Sequence, residues 1–176
     1  MTKKYILLLL LICLTFYKSQ SQKRNTLTKT NLTFIKICND RYGFCVDYPQ
    51  NILYPQPLSG NGDGRHFSNK RGDQILTTFG RLNNNGDEKV SLEEQYEEDL
   101  RSNDLIDEVT GNGKKVITYS KIGTNYFVIS GFFKGHIFYE KVVLREEGFA
   151  YAILVYDEIE KQIYNQVANR IYKTFK

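Results

Sequence analysis

The stretch FAYAILVYDE, from Phe149 to Glu158, decides the fold predicted for this chain. Its first eight residues are apolar at odd and even positions alike, whereas a strand with one face in water alternates between apolar and polar residues. Such a run is typical of a central strand that is covered on both sides. We therefore expect a sheet that contains this strand, with a helix, or at least a loop, packed on each face.

The segments before this strand predict its neighbours. KKVITYSKIG, YFVISGFFKG and HIFYEKVVLRE follow one another from Lys114 to Glu146, with short turn signals between them, and this spacing indicates an antiparallel meander. Further upstream, LTFIKIC and GFCVDYP predict an N-terminal hairpin joined at residues 39–41. RHFSN and DQILTTFGRL predict a second hairpin that turns at residues 69–72.

Two helices are expected on this sheet. Ser91 and Glu94 form a capping box, and Leu92, Tyr96 and Leu100 fall on one stripe of the first helix. The other face of this helix is acidic and continues into a further acidic segment, and we interpret it as a solvated outer face, with a cation-binding or docking patch as the alternative. The acidic residues are Glu93, Glu94, Glu97, Glu98 and Asp99, followed by Asp104, Asp107 and Glu108.

The second helix should close the chain. Asp157 and Glu160 read as its capping pair, and apolar residues recur at steps of four along it. Those residues are Ile159, Ile163, Val167, Ile171 and Phe175. The prediction is therefore an α+β fold: one domain, residues 33–176, with an antiparallel, meander-rich sheet, an N-terminal hairpin and helices on its faces.

The N-terminus carries the features of a signal peptide. Two lysines precede the apolar run from Tyr5 to Tyr17, which is too short to span a bilayer, and Ser19-Gln20-Ser21 is a small-x-small cleavage site. We predict a signal peptide over residues 1–21, cleavage after Ser21, a flexible lead-in over 22–32 and a periplasmic or secreted protein. A lipoprotein modified at Cys13 and an uncleaved anchor are the alternatives.

Export also changes the charge of the chain. The full chain has 24 Lys plus Arg and 20 Asp plus Glu, and three lysines leave with the predicted signal, so the mature chain carries 21 minus 20, or +1. This near balance gives no electrostatic support for binding nucleic acid, and no membrane contact is expected after cleavage. The two mature cysteines, Cys38 and Cys45, are expected to form a disulfide across the first hairpin, with redox chemistry as the alternative.

Two short motifs suggest sites but are better explained as turns. With Gly64 or Gly86 as the sixth residue of a calcium loop, the twelfth is Lys70 or Leu92, where a bidentate glutamate is needed. A weak calcium site at Asp63 or Asp87 remains the alternative. Residues 71–73 read Arg-Gly-Asp at the turn of the second hairpin, and an adhesion role is the alternative to a structural one.

Chemistry-bearing motifs are scarce. No zinc spacing, phosphate loop or nucleophile elbow is present in the sequence, so we predict no catalytic residues, no metal and no cofactor. His136 and Glu140 fall on one face of a predicted strand and are the candidate centre of a hydrolase-type enzyme. That hypothesis requires the two side chains to converge in a cleft.

The order of the parts resembles a group of small exported bacterial domains of uncharacterised function with a PsbP-like fold. The resemblance covers residues 34–175, and its most specific parts are Tyr42-Gly43-Phe44, Tyr48-Pro49 and residues 61–64. It implies an antiparallel sheet with helices on both faces. The named relatives of this fold are mostly binding or assembly proteins, including the extrinsic subunit of photosystem II, and function inferred from fold alone is analogy.

These observations favour a non-enzymatic exported domain that binds another envelope protein. The expected interaction surface combines the loop at residues 55–64 with the acidic helix, and its residues are Tyr54, Pro55, Asp63, Glu93, Glu94, Glu97 and Glu98. The alternative is a small-ligand or lipid binder with an apolar pocket between the sheet and the C-terminal helix. Phe127, Phe138 and Ile153 would line that pocket.

Overall fold

The computed structural model describes residues 31–85, 88–102 and 113–176. Contacts between Cα atoms divide the chain into two units, Met1–Asn31 and Leu32–Lys176, and the features below lie in the second. Outside the described residues lie the predicted signal peptide, the lead-in up to residue 30, and Asp87, Asp104, Asp107 and Glu108. Among the residues that are described, no helix is long and apolar enough to span a membrane.

The described chain forms eleven strands and two α-helices. The strands are β1 (Phe34–Asn39), β2 (Phe44–Pro49), β3 (Tyr54–Leu58), β4 (Gly64–Ser68), β5 (Gln74–Leu82), β6 (Asn84–Asn85), β7 (Glu88–Lys89), β8 (Lys115–Ile122), β9 (Tyr126–Phe133), β10 (His136–Leu144) and β11 (Gly148–Asp157). The helices are α1 (Leu92–Arg101) and α2 (Lys161–Thr174), and a 3-10 turn (Glu158–Glu160) precedes α2.

Seven strands form one antiparallel sheet in the order β3-β4-β5-β11-β10-β9-β8. The predicted central strand is confirmed, because β11 is the fourth of the seven and its residues 148–156 are all buried. The predicted meander is also confirmed, since β8 to β11 are neighbours in sequence order. Both predicted hairpins are present, as β1–β2 and β4–β5.

The two faces of the sheet are covered by different elements. Ala150, Ala152 and Leu154 of β11 point to one face, where they pack with the β1–β2 hairpin and with α2. Tyr151 and Ile153 point to the other face, which is covered by α1. Alternation of side chains along a strand therefore distributes an all-apolar segment into two separate cores, as the sequence indicated.

The N-terminal hairpin is closed by a disulfide between Cys38 and Cys45. The two residues are directly opposite each other in the β1–β2 pairing, with Cα atoms 4.0 Å apart. Gly43, at the end of the turn, has a φ of +62°, a conformation that favours glycine. The hairpin is also attached to α2, because the Arg170 guanidinium contacts the Asp47 carboxylate at 2.7 Å.

The N-terminus of α1 is the predicted capping box. The Ser91 hydroxyl accepts a hydrogen bond from the backbone N–H of Glu94 at 3.2 Å, and the Glu94 carboxylate accepts one from the backbone N–H of Ser91 at 2.8 Å. Each side chain satisfies a backbone donor that the helix itself leaves without a partner. The Glu94 carboxylate is therefore hydrogen-bonded at the helix terminus, unlike the other exposed acidic side chains of α1.

The predicted start of α2 is wrong. The helix begins at Lys161, and neither Asp157 nor Glu160 makes a side-chain cap. The reason lies elsewhere in the fold, because the Asp157 carboxylate contacts His136 at 2.7 Å and Glu160 contacts Arg71 at 3.2 Å. Ile159 is 86% exposed and lies outside the packed stripe. The rest of that stripe is confirmed at its C-terminal half, where Val167, Ile171 and Phe175 are fully buried.

The C-terminus of α2 is held by a buried lysine. The ammonium of Lys141, on β10, donates to the backbone oxygens of Tyr172 at 2.7 Å and Phe175 at 2.8 Å. Two aromatic rings flank the ammonium, because its nitrogen lies 5.1 Å from the centre of the Tyr126 ring and 5.4 Å from the centre of the Tyr172 ring. Burial lowers the pKa of Lys141 to about 8. The last carbonyls of a helix need donors of this kind, and a cation is favoured there by the helix dipole.

Candidate functional site

The candidate enzyme residues do not come together. His136 is half-exposed at the start of β10, where its Nδ1 contacts the Asp157 carboxylate at 2.7 Å. Glu140 is 1% exposed and lies four residues along the same strand, about 13 Å away at the usual rise of a strand. The buried ring of Phe138 lies between them. The prediction that His136 and Glu140 could form one centre is therefore wrong.

The surroundings of His136 do not supply a nucleophile either. His136 lies in an open groove of about 580 Å³ together with Arg71, Asp157 and Glu160. No serine, threonine or cysteine lines this groove. A histidine held by an aspartate needs such a side chain beside it to act in nucleophilic catalysis. Among the described residues, no three metal-binding side chains cluster here or elsewhere.

Glu140 lies instead against an acidic residue of α1. Asp99, which the sequence interpretation placed on the solvated face of the helix, is 5% exposed and buried between α1 and the sheet. The correction follows from helix geometry, because Asp99 is seven residues after the buried Leu92 and therefore lies on the same face two turns later. The carboxyl groups of Asp99 and Glu140 are within hydrogen-bonding reach of each other.

Polar side chains surround this pair. The amide of Gln95 donates to Oδ1 of Asp99 at 2.8 Å, and the guanidinium of Arg81 donates to the oxygen of the same Gln95 amide. The ammonium of Lys115 donates to the backbone oxygens of Asp99 and Ser102. These contacts tie α1 to strands β5 and β8. They also place two positive charges near the buried carboxyl groups.

Burial raises the pKa of both carboxyl groups, and the charge of Asp99 adds to the rise of the Glu140 pKa. Burial raises the pKa of Asp99 to about 6, and burial together with the Asp99 charge raises the pKa of Glu140 well above its usual value. Oδ2 of Asp99 and Oε1 of Glu140 have no hydrogen-bond partner among the described residues when both groups are ionised. A proton held by Glu140 and shared with Asp99 supplies that bond. The pair is sealed from solvent, so it fixes the position of α1 rather than contacting a substrate.

An open groove of about 550 Å³ lies beside this buried cluster. Tyr42 from the turn of the first hairpin, Asp63 from the β3–β4 loop and Glu98 from α1 line it. Arg81 and Leu82 at the end of β5 also line it, and Leu82 is 51% exposed. The groove therefore brings together an aromatic ring, an exposed aliphatic side chain and charges of both signs from four separate segments.

The loops at this groove are held by hydrogen bonds between them. The Asn39 amide donates to the Gly62 backbone oxygen at 2.9 Å, and the Arg41 guanidinium donates to the Asn61 backbone oxygen. The ring of Tyr42 occupies the space that a side chain at Gly80 would need, because a Cβ there would lie 2.0 Å from the ring. The aromatic wall of the groove thus depends on a close approach that only glycine permits.

The predicted interaction surface is divided by the structure. Asp63 and Glu98 line this groove, and Glu93 and Glu97 are exposed on α1, whereas Glu94 caps the helix. Tyr54 and Pro55 lie at the far end of β3, opposite Ser68 and Phe67, and do not line the groove. The residues that sequence reasoning missed are Tyr42, Arg81 and Leu82. Their convergence depends on contacts between distant segments, for which the sequence carries no local signal.

The two turn motifs are engaged within their own loops. The Asp63 carboxylate accepts hydrogen bonds from Ser59 at 2.5 Å and Asn61 at 2.7 Å. The Arg71 guanidinium contacts the Asp73 carboxylate at 2.7 Å, and Asn69 accepts from the backbone N–H groups of both residues. These bonds favour the structural interpretation of both stretches, because the side chains that a cation or a receptor would need already stabilise the turns.

The predicted lining of a ligand pocket is wrong. Phe127, Phe138 and Ile153 face α1, not the C-terminal helix, and their exposed fractions are 0%, 0% and 2%. They belong to the apolar core on that side of the sheet and leave no room for a ligand. The face below α2 carries different residues.

Comparison with known proteins identifies the fold. No protein-family model matches the chain, and no curated protein matches it by sequence. The solution structure of cyanobacterial PsbP (CyanoP) from Synechocystis sp. PCC 6803 is similar, with a TM-score of 0.60 and 10% sequence identity. The similarity covers 88% of this chain and 98% of the cyanobacterial chain. At this level of identity the likeness is one of architecture, and the protein has a PsbP-like fold.

Proposed function

We propose that this protein is an exported, non-catalytic binding domain that recognises another envelope protein at the groove between α1 and the loops. The observation that carries the proposal is the convergence of Tyr42, Asp63, Leu82 and Glu98 in one open groove. Protein interfaces combine apolar and aromatic contacts at the centre with charged groups at the rim, and this groove has both.

The charge of the surface indicates the chemistry of the partner. Glu93, Glu97 and Glu98 are exposed on α1, and Glu98 lines the groove. Arg81, the cation that lines the groove, is engaged with the Gln95 amide and lies 5.5 Å from the centre of the Tyr151 ring. The acidic side chains are therefore left to pair with basic groups of the partner. Such pairing steers encounter and selects the partner more than it adds affinity.

The rigidity of the surface supports a binding role. Hydrogen bonds join the segments at the groove before any partner arrives, from Asn39 to Gly62, from Gly80 to Asp63 and from Arg81 to Gln95. A surface that is already ordered loses less conformational entropy on binding. The Cys38–Cys45 disulfide supports export, since disulfides persist mainly in oxidising compartments.

The non-catalytic part of the proposal rests on the two ionisable centres. The Asp99–Glu140 pair is sealed from solvent, and the His136 groove lacks a hydroxyl or thiol nucleophile. The Asp99–Glu140 pair and the His136–Asp157 contact therefore stabilise the fold in this proposal. A reproducible turnover of an ester or peptide substrate that is lost on His136→Ala would contradict this part.

The binding proposal is tested by cross-linking the mature protein in its own envelope fraction and identifying the captured proteins by mass spectrometry. We expect one partner at stoichiometric yield, and at least a fivefold lower yield for the variant with Glu93, Glu97 and Glu98 changed to glutamine. Glu94 stays unchanged because it caps α1. The matched control is Glu158→Gln, an exposed acid in the 3-10 turn outside the groove. Equal yields from both variants would refute the surface.

Export is tested separately in the native host. We expect the protein in the periplasmic or culture fraction, with an N-terminus at Gln22. An N-terminus at Met1 in the cytoplasmic fraction would overturn the localisation while leaving the binding surface open to its own test.

A further inference from the structure

A third groove lies beside α2. The helix packs on one face of the sheet, against β10, β11 and the β1–β2 hairpin, and the Tyr172 ring near its C-terminal end contacts Tyr126 of β9. The uncovered part of this face forms an open groove of about 350 Å³. Residues of the strands and of α2 line it, including Ser130, Phe132, Tyr139, Tyr156, Lys161 and Asn165. This volume is within the range of small-molecule sites.

The walls of the groove are aromatic. Phe132 is 36% exposed, although it lies in the interior of the sheet next to its partner Val116 on the edge strand. Tyr139 and Tyr156 contribute further ring surface. An aromatic side chain left open on a concave face gains free energy when a flat apolar group covers it.

Two polar groups of this groove, the Lys161 ammonium and the Asn165 amide, can donate hydrogen bonds. Lys161 makes no ion pair in the part of the chain that the structure describes, and no aspartate or glutamate lines the groove. The Tyr156 hydroxyl donates to Oδ1 of Asn165 at 2.8 Å, and the NH₂ group of that amide is a further hydrogen-bond donor. The Tyr139 hydroxyl is buried and has no hydrogen-bond partner among the described residues.

The contrast with the other grooves is one of charge. Asp63 and Glu98 line the groove beside α1, and Asp73, Asp157 and Glu160 line the groove around His136. A site whose only charged lining side chain among the described residues is an ammonium, beside an amide that can donate, is complementary to a ligand that accepts hydrogen bonds.

From these contacts we infer that the groove between α2 and strands β8–β10 binds a small molecule with a flat apolar body and one anionic group. The apolar body packs on Phe132 and Tyr139, and the anionic group accepts from Lys161 and Asn165. The site shares no lining residue with the proposed protein-binding groove, so the two inferences can fail independently.

The test uses 8-anilinonaphthalene-1-sulfonate, an anion with a flat naphthalene ring that becomes fluorescent in apolar sites. We titrate it into the mature chain and expect saturable binding at one site per chain. Lys161→Met retains the apolar stem of the side chain and should weaken this binding at least fivefold, whereas Lys161→Arg should restore most of it. The matched control is Lys173→Met, an exposed lysine near the other end of the same helix, and it should leave binding unchanged.

A competition experiment separates two sources of such an anion. We expect 1-naphthoate to displace the probe, because its rings can stack on Phe132, and decanoate to displace it much less. Displacement by decanoate alone would overturn the flat ligand in favour of an acyl chain. Binding that does not saturate, or that falls equally in Lys161→Met and Lys173→Met, would overturn the site itself. Circular dichroism of each variant confirms that the probe reports a folded protein.

Discussion

Replacing Glu140 with glutamine tests the buried carboxyl pair directly. In the native protein Glu140 retains a proton that the same side chain loses in the unfolded chain at neutral pH, because burial raises its pKa well above the usual value of 4.5. A native state that binds one more proton than the unfolded state becomes less stable as the pH rises. The stability that the protonated pair provides is thus fully present below the unfolded pKa values and is lost above them.

The size of the effect follows from proton linkage. Each retained proton lowers the free energy of unfolding by about 1.4 kcal/mol per pH unit. For Asp99, whose pKa rises from 3.8 to about 6, this interval of 2.2 units corresponds to about 3 kcal/mol. The two groups are coupled, so the measured loss belongs to the pair. Between pH 5 and pH 7, one proton retained by Glu140 over two pH units corresponds to a loss of about 3 kcal/mol in the wild-type protein.

Glutamine has the shape of the protonated side chain and donates to Asp99 at every pH. Glu140→Gln should therefore match the wild-type protein near pH 5, exceed it in stability at pH 7 to 8, and show a flatter pH dependence. The groups that face this position are Asp99 and Gln95 on α1, Arg81 on β5, Lys115 on β8 and Tyr151 on β11. None of the positive groups is altered by the change.

Urea denaturation at pH 5, 6, 7 and 8 measures this effect. Tyrosine fluorescence can report unfolding, since the chain has 13 tyrosines and no tryptophan. Glu98→Gln, one residue before Asp99 but lining the open groove, is the matched control and should keep the wild-type slope. An unchanged slope in Glu140→Gln would refute the shared proton.

Two further changes test the hairpin and the groove wall. Replacing Cys38 and Cys45 with serine should lower the free energy of unfolding by about 2.5 kcal/mol, because the disulfide closes a loop of about eight residues. The reduced wild-type protein should melt at the same temperature as the variant. A higher melting temperature of the reduced protein would mean that the loss does not come from the missing disulfide. Gly80→Ala places a methyl group against the ring of Tyr42 and should destabilise the protein by about 1–3 kcal/mol. Thermal melts of Gly80→Ala in the Tyr42→Ala background should show a smaller loss, and an equal loss in both backgrounds would mean that the ring is not the obstacle.

Local patterns predicted most of the architecture. The all-apolar run at residues 149–156 located the central strand, short turn signals gave the meander, and Ser91 with Glu94 gave the start of α1. The sequence signal for each strand, turn or helix start lies within about ten consecutive residues. The disulfide was predictable for the same reason, because Cys38 and Cys45 lie on adjacent strands of one hairpin.

The features that could not be predicted depend on distant segments. The burial of Asp99 was predictable from the helical repeat, which places it on the face of Leu92, but its pairing was not, because Glu140 is 41 residues further along the chain. The start of α2 depends on His136, which binds the aspartate that would otherwise cap the helix. The grooves likewise form where loops and helices meet, so their composition is set by tertiary contacts rather than by any motif.

The placement of Glu140 and Lys141 restricts how β10 can align with its neighbours. The two residues are consecutive, and they enter opposite faces of the sheet, one beneath α1 and the other at the end of α2. Slipping the strand by one residue would exchange these environments. The ammonium would then face Arg81 and Lys115, and the carboxyl group would face the carbonyl oxygens that end α2. The carboxyl group then meets carbonyl oxygens where they now accept from an ammonium, so this adjacent pair opposes a one-residue slip of β10.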